Sequence, residues 1–336
     1  MARDLSKLPI LRTSERTTWR ECPQKWWWGY REGLVPQGAP NYNLWFGTGI
    51  HLALASHYQK GTRRGKGAKG PVAVWQKYCK DEYVPMKVME GDDSEFVESM
   101  ELGTVMLEGY LKEYGNDDHM YILATEQSRK ILVHDHDGTP LFWYAYTMDG
   151  VYRDRADHNR LKLLEHKTAL IVSLSHLPLD DQAGAYPTFE TELLRADGTL
   201  RPDEKILDVT YNILRKGKPR IDDRPRNAEG KALNKDGTVS KNQNTQAKLF
   251  VREDISRSDE SRLRIVDRAI IEVHEMNRMR ADRDLIYKNP HSGPFGCGSC
   301  PFLDMCILHE EGGDWQDLRD WKFKARDPYT DHRKAA

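Results

Sequence analysis

The chain has 336 residues, 38% of them hydrophobic and 31% charged, with a formal net charge of −1. That is enough for one large domain or two small ones, and it excludes the overall basic field that advertises nucleic acid. No apolar run approaches the ~20 residues of a membrane helix. "MARDLSKLPILRTSERTTW" lacks the apolar stretch of a secretory leader, so a cytoplasmic protein with no membrane partner is expected.

Residues 1–120 read as mostly helical. Thr13 or Ser14 is placed to cap a short helix through Arg20, and Pro23 suits the first turn of a second, "PQKWWWGYREGL". "NLWFGTGIHLALASHYQKG" reads as a third helix, with His51, Ala55 and Tyr58 near one face. "KGTRRGKGAK" (60–69) is a basic loop, and "PVAVWQKYCKDEYVPM" and "EFVESMELGTVMLEGYLKEYG" resume helical spacing. Over 121–219 the period changes. "YILATEQSRKILVH", a turn at "DHDG" and "LFWYAYTMDGVYRD" form a hairpin, and "NRLKLLEHKTA" is a third strand. The helix "LPLDDQAGAYPTFETELLR", with a kink or break expected at Pro187, leads to a fourth strand, "LDVTYNILRKGKP". Residues 220–250 are polar and without apolar period, an insertion; the second basic stretch, "RKGKPRIDDRPR" (215–226), runs into it. Both basic stretches read either as solvated surface or as phosphate contacts. Within 251–336 a helix from Ser258 to Ala281 carries the apolar stripe Leu263, Val266, Ile270, Val273 and Met276, and a cysteine segment follows. The expectation is an α/β protein: a mixed sheet of about four strands flanked by helices, one compact unit with a helical N-terminal region.

The chemistry-bearing residues sit on the second and third strands. Glu165 and Lys167 in "LLEHKTA" are two apart, hence on one face of a strand. If the neighbouring strand pairs antiparallel, Asp149 in "AYTMDGVY" lies beside them. Two carboxylates there make a hard-oxygen site suited to Mg²⁺ or Mn²⁺, and the lysine is placed to orient a water or steady a phosphate. A surface ion pair explains Glu165 and Lys167 alone equally well. His51, on an apolar helix, reads as a core histidine or a further metal ligand. Gln182 and Tyr186 in "DDQAGAYP" are four apart and share a helix face.

Cys22, Cys79, Cys297, Cys300 and Cys306 are the five cysteines, and "FGCGSCPFLDMC" (295–306) holds three of them. An odd number in a reducing compartment favours metal ligation over a disulfide framework. Cys79 lies in an apolar helical pattern and reads as a core residue. "KWWWGY" serves either as a stacking platform for bases or as packing, and packing is the simpler reading.

The order "GIH", "MDG", "EHK", "QAGAY", with one "CP" cysteine before and three cysteines after, resembles the PD-(D/E)XK nuclease superfamily. Within it the chain is most similar to the RecB-like iron–sulfur exonucleases that include CRISPR-associated RecB-like and phage enzymes. The resemblance spans Cys22 to Cys306 and implies a restriction-endonuclease-like core with a C-terminal iron–sulfur segment. It implies a [4Fe–4S] cluster on Cys22, Cys297, Cys300 and Cys306, although four cysteines also suit zinc. It further implies His51, Asp149, Glu165 and the His166 backbone carbonyl as ligands of Mg²⁺ or Mn²⁺, with Asp149, Glu165 and Lys167 catalytic. Gln182 and Tyr186 become the motif helix that supports the site or touches DNA, and Glu126 on the first strand lies within possible reach. The implied activity is a DNA exonuclease on single strands or ends, in bacterial or phage recombination, repair or DNA processing. The alternative is a non-catalytic nucleic-acid-binding module that keeps fold and cluster. No G-x-x-x-x-G-K-[ST] occurs, so a helicase or recombination partner would be a separate chain.

Overall fold

The computed structural model describes residues 4–37, 42–86, 93–219, 224–241, 243, 248–293 and 296–330. In chain order these form β1 (Ile10–Leu11), α1 (Thr13–Glu21), α2 (Pro23–Trp26), a turn of π-helix (Trp27–Arg31), β2 (Leu34–Pro36) and α3 (Tyr42–His57). Next come α4 (Pro71–Met86), α5 (Ser94–Tyr114), β3 (Met120–His134), β4 (Pro140–Asp154), β5 (Arg160–Ala169) and α6 (Asp181–Ala196). β6 (Asp208–Arg215), β7 (Phe250–Ser256), α7 (Asp259–Ala281), α8 (Leu303–Glu310), α9 (Trp315–Lys322) and β8 (Phe323–Ala325) complete the order. Arg220 of the second basic stretch, and parts of the polar insertion, lie outside the described residues.

Among the described residues the main sheet has six strands in the order β1-β4-β5-β6-β7, with β3 on the other edge of β4. The β1–β4 and β5–β6 pairs are parallel and the others antiparallel. The expected sheet of about four strands is thus extended beyond β6 by β7, and β1 joins the same edge of β4 that β5 covers. β1 is only two residues long, too short to show a period. β7 is an edge strand whose side chains Arg252, Glu253 and Asp254 are polar, so the alternation of a half-buried strand is blurred.

Helices cover both faces. One core layer joins Leu163, Val209 and Tyr211 of the sheet to Ala185 and Phe189 of α6 and to Ile265, Val273 and Met276 of α7. The other joins Leu164 and Leu214 to Ile50 and Leu54 of α3, Trp75 and Cys79 of α4, and Met106 and Tyr110 of α5. Cys79 is fully buried there, as expected. α7 begins where Ser258 caps the Ser261 N–H, but its buried stripe runs through Ile265, Ala269, Ile270, Val273 and Met276, and Leu263 is exposed. The helix is rotated toward Arg262, whose buried guanidinium donates to the carbonyls of Ile206 and Leu207. α6 continues through Pro187 without ending there; Leu177–Leu179 form a separate 3₁₀ turn before it.

An early and a late segment of the chain meet. β2 pairs antiparallel with β8, and Trp28, Leu34, Phe302, Met305 and Phe323 form a small core of their own. Trp26 and Trp28 are 0% and 1% exposed, so the tryptophan run packs rather than presenting these two rings to bases. Deeper in, Arg16 of α1 donates to Glu272 of α7 at 2.5 Å and lies 3.5 Å from Asp181 of α6.

Gly103 of α5 is required by close approach: a Cβ there would lie 2.3 Å from the ring of Trp75, which is fully buried and donates to the Met100 carbonyl. Gly103→Ala sets overpacking of about 1–3 kcal/mol against up to ~1 kcal/mol of helix propensity. A net loss of about 1–2 kcal/mol is expected in urea unfolding; an unchanged or raised midpoint would contradict this packing.

Candidate active site

One edge of β4 is covered discontinuously. β1 pairs with Trp143 and Tyr144, and β5 pairs with Gly150–Asp154 through Leu164–Arg160. Beyond Gly150↔Leu164 the ladder stops while β5 continues alongside β6. The two strands part at the point where Asp149 and Glu165 begin the unpaired stretch. A strand that leaves its ladder exposes backbone donors that must find partners. Asp149 supplies one: its Oδ2 accepts the His166 N–H at 2.5 Å, while Oδ1 lies 2.8 Å from His51 Nδ1 on α3. Asp149 is therefore held from both sides at the fork.

Glu165 and Lys167 share one face of β5, as their spacing requires. Lys167 Nζ donates to Glu165 Oε1 at 2.6 Å and to Gln182 Oε1 at 2.5 Å, and Gln182 Nε2 donates to the Tyr186 hydroxyl at 3.0 Å. Gln182 reaches the strand because Asp180 caps α6, its carboxylate accepting the Gln182 N–H. The helix start is secured from behind by Arg16, Arg20 and Arg268, all of which reach Asp181. Glu126 of β3 lies between Thr125 (opposite Gly150) and Gln127 (opposite Met148), level with Asp149. The structure thus brings together His51, Asp149, Glu165, Lys167, Gln182 and Tyr186, with Glu126 beside them. His166 contributes its N–H, and its ring points to the opposite face.

The electrostatics are those of a site with an excess of buried carboxylate. Burial pushes Glu165 up to about 7, against the pull of Lys167, and its Oε2 is buried with no hydrogen-bond partner. Burial would also raise Asp149, but the His51 charge and hydrogen bond hold it down at about 2. Burial opposes protonation of His51, and the carboxylates of Asp149 and Glu165 outweigh it, bringing the imidazole to about 9. Glu126 is raised by burial and by the Asp149 charge. An orphaned buried carboxylate oxygen is costly. Asp149, Glu165 and His51 offer a donor set of hard oxygen plus imidazole, which suits Mg²⁺ or Mn²⁺ in kind, although the three are not drawn tightly enough together to hold an ion as they stand.

Cys22, Cys297, Cys300 and Cys306 line one cavity together with Lys25, Trp28, Lys288 and Phe302. Burial raises the Cys300 and Cys306 thiols, and Lys25 and Lys288 respectively oppose that shift. The His291 N–H donates to Cys297 Sγ at 3.4 Å. Among the described residues, no group of three or more His, Cys, Asp or Glu is drawn tightly enough together to hold a metal ion. The cysteines share a chamber, then, but are not closed around its centre.

Sequence reasoning missed a polar assembly under β5. Tyr58, Tyr110, Asp117, Asn212 and Arg252 are joined to the His166 ring. The available signal was Asn212, an amide inside the otherwise apolar strand "VTYNIL".

A family model of the PD-(D/E)XK nuclease superfamily matches residues 13–307. No curated protein shows a significant match. Because that match runs from the helix before Cys22 through the forked strands to the last of the cysteines, the chain belongs to the PD-(D/E)XK nuclease superfamily.

Proposed function

We propose that the chain is a divalent-metal-dependent DNA exonuclease of the RecB-like iron–sulfur branch, acting on single strands or DNA ends in bacterial or phage recombination, repair or DNA processing. Metal-dependent phosphodiester hydrolysis is the superfamily's activity. The observation that carries the reading is the fork: Asp149 locked by His51 and the His166 N–H, with Glu165, Lys167 and Gln182 in one hydrogen-bonded line beside it. Asp149, Glu165 and His51, with the His166 carbonyl, would hold Mg²⁺ or Mn²⁺, which supplies positive charge against the phosphate and a more acidic water. Lys167 is fixed by two acceptors, with its ammonium positioned to orient the water and to offset charge on the phosphate oxygens. Gln182, backed by Tyr186, keeps that ammonium from swinging away. A non-catalytic binding module would have no need for this line to be complete.

An apolar rim supports the single-strand reading. Among the described residues, four of the five most exposed large hydrophobics are Ile171 (81%), Leu179 (79%), Leu170 (67%) and Leu44 (66%). Leu170 and Ile171 follow β5 directly and Leu179 precedes the cap of α6, so both ends of this connection adjoin the site. Arg215 donates to the Leu170 carbonyl, Lys216 donates to Asn43 next to Leu44, and Arg257 donates to the Asp180 carbonyl next to Leu179. Apolar exposure on this scale marks an interaction surface. Unpaired bases offer it apolar faces that a duplex hides, and the adjacent cations suit the phosphates.

For the cysteine chamber we propose a [4Fe–4S] cluster. Four thiols in one cavity at the junction of the early and late segments, with an N–H directed at one sulfur, are the supporting observations. The cluster would add a covalent clasp where β2 and β8 already pair.

End-labelled DNA with Mn²⁺ or Mg²⁺ tests the nuclease reading. Wild type is expected to shorten the strand. Lys167→Ala should lose a hundredfold or more in rate, about 3 kcal/mol of barrier, with metal and DNA binding retained. Asp149→Ala and Glu165→Ala should lose both metal binding and turnover, and His51→Ala should be partly rescued by more metal. Binding of DNA ends with no shortening or nicking by wild type would leave only the binding module. In the same assay, Ile171→Ser is expected to weaken single-strand binding and to leave duplex binding unchanged; equal loss on both would remove the role of the rim. After anaerobic purification, Cys22→Ser should lose iron as completely as Cys300→Ser, while Cys79→Ser keeps it. Stoichiometric zinc without iron or sulfide in wild type would overturn the cluster assignment.

A further inference from the structure

The side chain of His166 points away from Glu165 and Lys167, into the helical layer of α3 and α5. Its ring stacks on Tyr58, with centroids 5.7 Å apart and planes 24° apart, and its Nδ1 lies 2.8 Å from Asn212 Nδ2. The protonation of this contact follows from the next partner. Arg252 Nε lies 3.2 Å from Asn212 Oδ1, and a guanidinium only donates. The amide oxygen of Asn212 must therefore face Arg252, which leaves its NH₂ to donate to His166 and, at 3.0 Å, to the Tyr110 hydroxyl. His166 Nδ1 is then an acceptor and the ring's proton sits on Nε2.

Arg252 is itself clamped. Its NH1 and NH2 donate to the two oxygens of Asp117 at 2.7 and 2.6 Å, and NH2 also reaches Tyr58 and Tyr110 at 2.9 and 2.7 Å. Asn212, Tyr110, Tyr58, His166 and Asp117 are all buried, Asn212 completely. A buried ionic assembly of this size is weak as a source of stability, since apolar side chains of similar volume often do as well or better. What it provides when fully satisfied is a single geometry. That geometry is imposed on the residue between Glu165 and Lys167, whose N–H grips Asp149.

We propose that Asn212 and Arg252 are positioning residues for the metal-binding carboxylates, holding the His166 peptide so that Asp149 and Glu165 face one place. The proposal rests on the nuclease reading but concerns residues on the far side of the sheet from Glu165 and Lys167. Removing groups that orient metal ligands typically costs ~10–100-fold in metal affinity.

The test is Mn²⁺ titration by calorimetry without DNA, alongside thermal unfolding, for wild type, Asn212→Leu, Arg252→Lys and Gly103→Ala. Gly103→Ala strains the same helical layer through Trp75 and is the control for general destabilisation. Arg252→Lys keeps the charge facing Asp117 but cannot bridge to Asn212, so it serves where Asn212→Leu does not fold. Asn212→Leu and Arg252→Lys should each weaken Mn²⁺ binding by ~10-fold or more, whereas Gly103→Ala should leave it at the wild-type value. Wild-type affinity in both network variants, with only the unfolding temperature lowered, overturns the positioning role and leaves the nuclease reading standing. A wild type that binds no Mn²⁺ overturns both.

Discussion

The candidate site depends on a single unmade ladder. β4 and β5 pair only as far as Gly150↔Leu164, and the first backbone donor set free past the fork is taken by a carboxylate instead of a carbonyl. Asp149 thus does structural work for the His166 N–H and presents its remaining oxygen toward α3. The strand separation, the burial of Asp149 and Glu165 and the closeness of His51 are consequences of one arrangement. Closing the ladder would bury the fork as ordinary sheet, and widening it would leave Asp149 without its anchor.

Around that fork the protein places layers of support of different kinds. On the side of α6 the support is ionic: buried Arg16 and the more exposed Arg20 and Arg268 converge on buried Asp181, next to Gln182. On the side of α3 and α5 it is a buried assembly ending in Arg252 and Asp117. At the far end, the tryptophan-rich turn and the cysteine chamber join residues 4–36 to the last described elements through β2–β8 and the core around Trp28. α1 carries Arg16 in its middle and Arg20 in its last turn and leads directly into Cys22, so the chamber and the start of α6 are held by the same short helix.

Much of this was legible in the sequence. The alternation of "LLEHKTA" put Glu165 and Lys167 on one face, the i,i+4 spacing put Gln182 above Tyr186, and the apolar setting of Cys79 placed it in the core. The rest was hidden for physical reasons. β1 is too short to carry a period, and β7 is an edge strand with charged side chains. Leu263 appeared to continue a stripe that the bonds of Arg262 turn away from the core. The partners of His166 come from five separate segments, and only the fold brings them into contact. Glu126 was no more than a possible neighbour until the β3–β4 register set it level with Asp149.

The central claim is that Asp149 and Glu165 form the cation site of a nuclease. Anomalous diffraction from crystals soaked in Mn²⁺ tests it without reference to turnover. The account predicts a peak at the fork, within ligand distance of Asp149, the unpartnered Oε2 of Glu165 and the His51 ring. Saturating Mn²⁺ with the fork empty, or a peak confined to some other cluster of side chains, would contradict it.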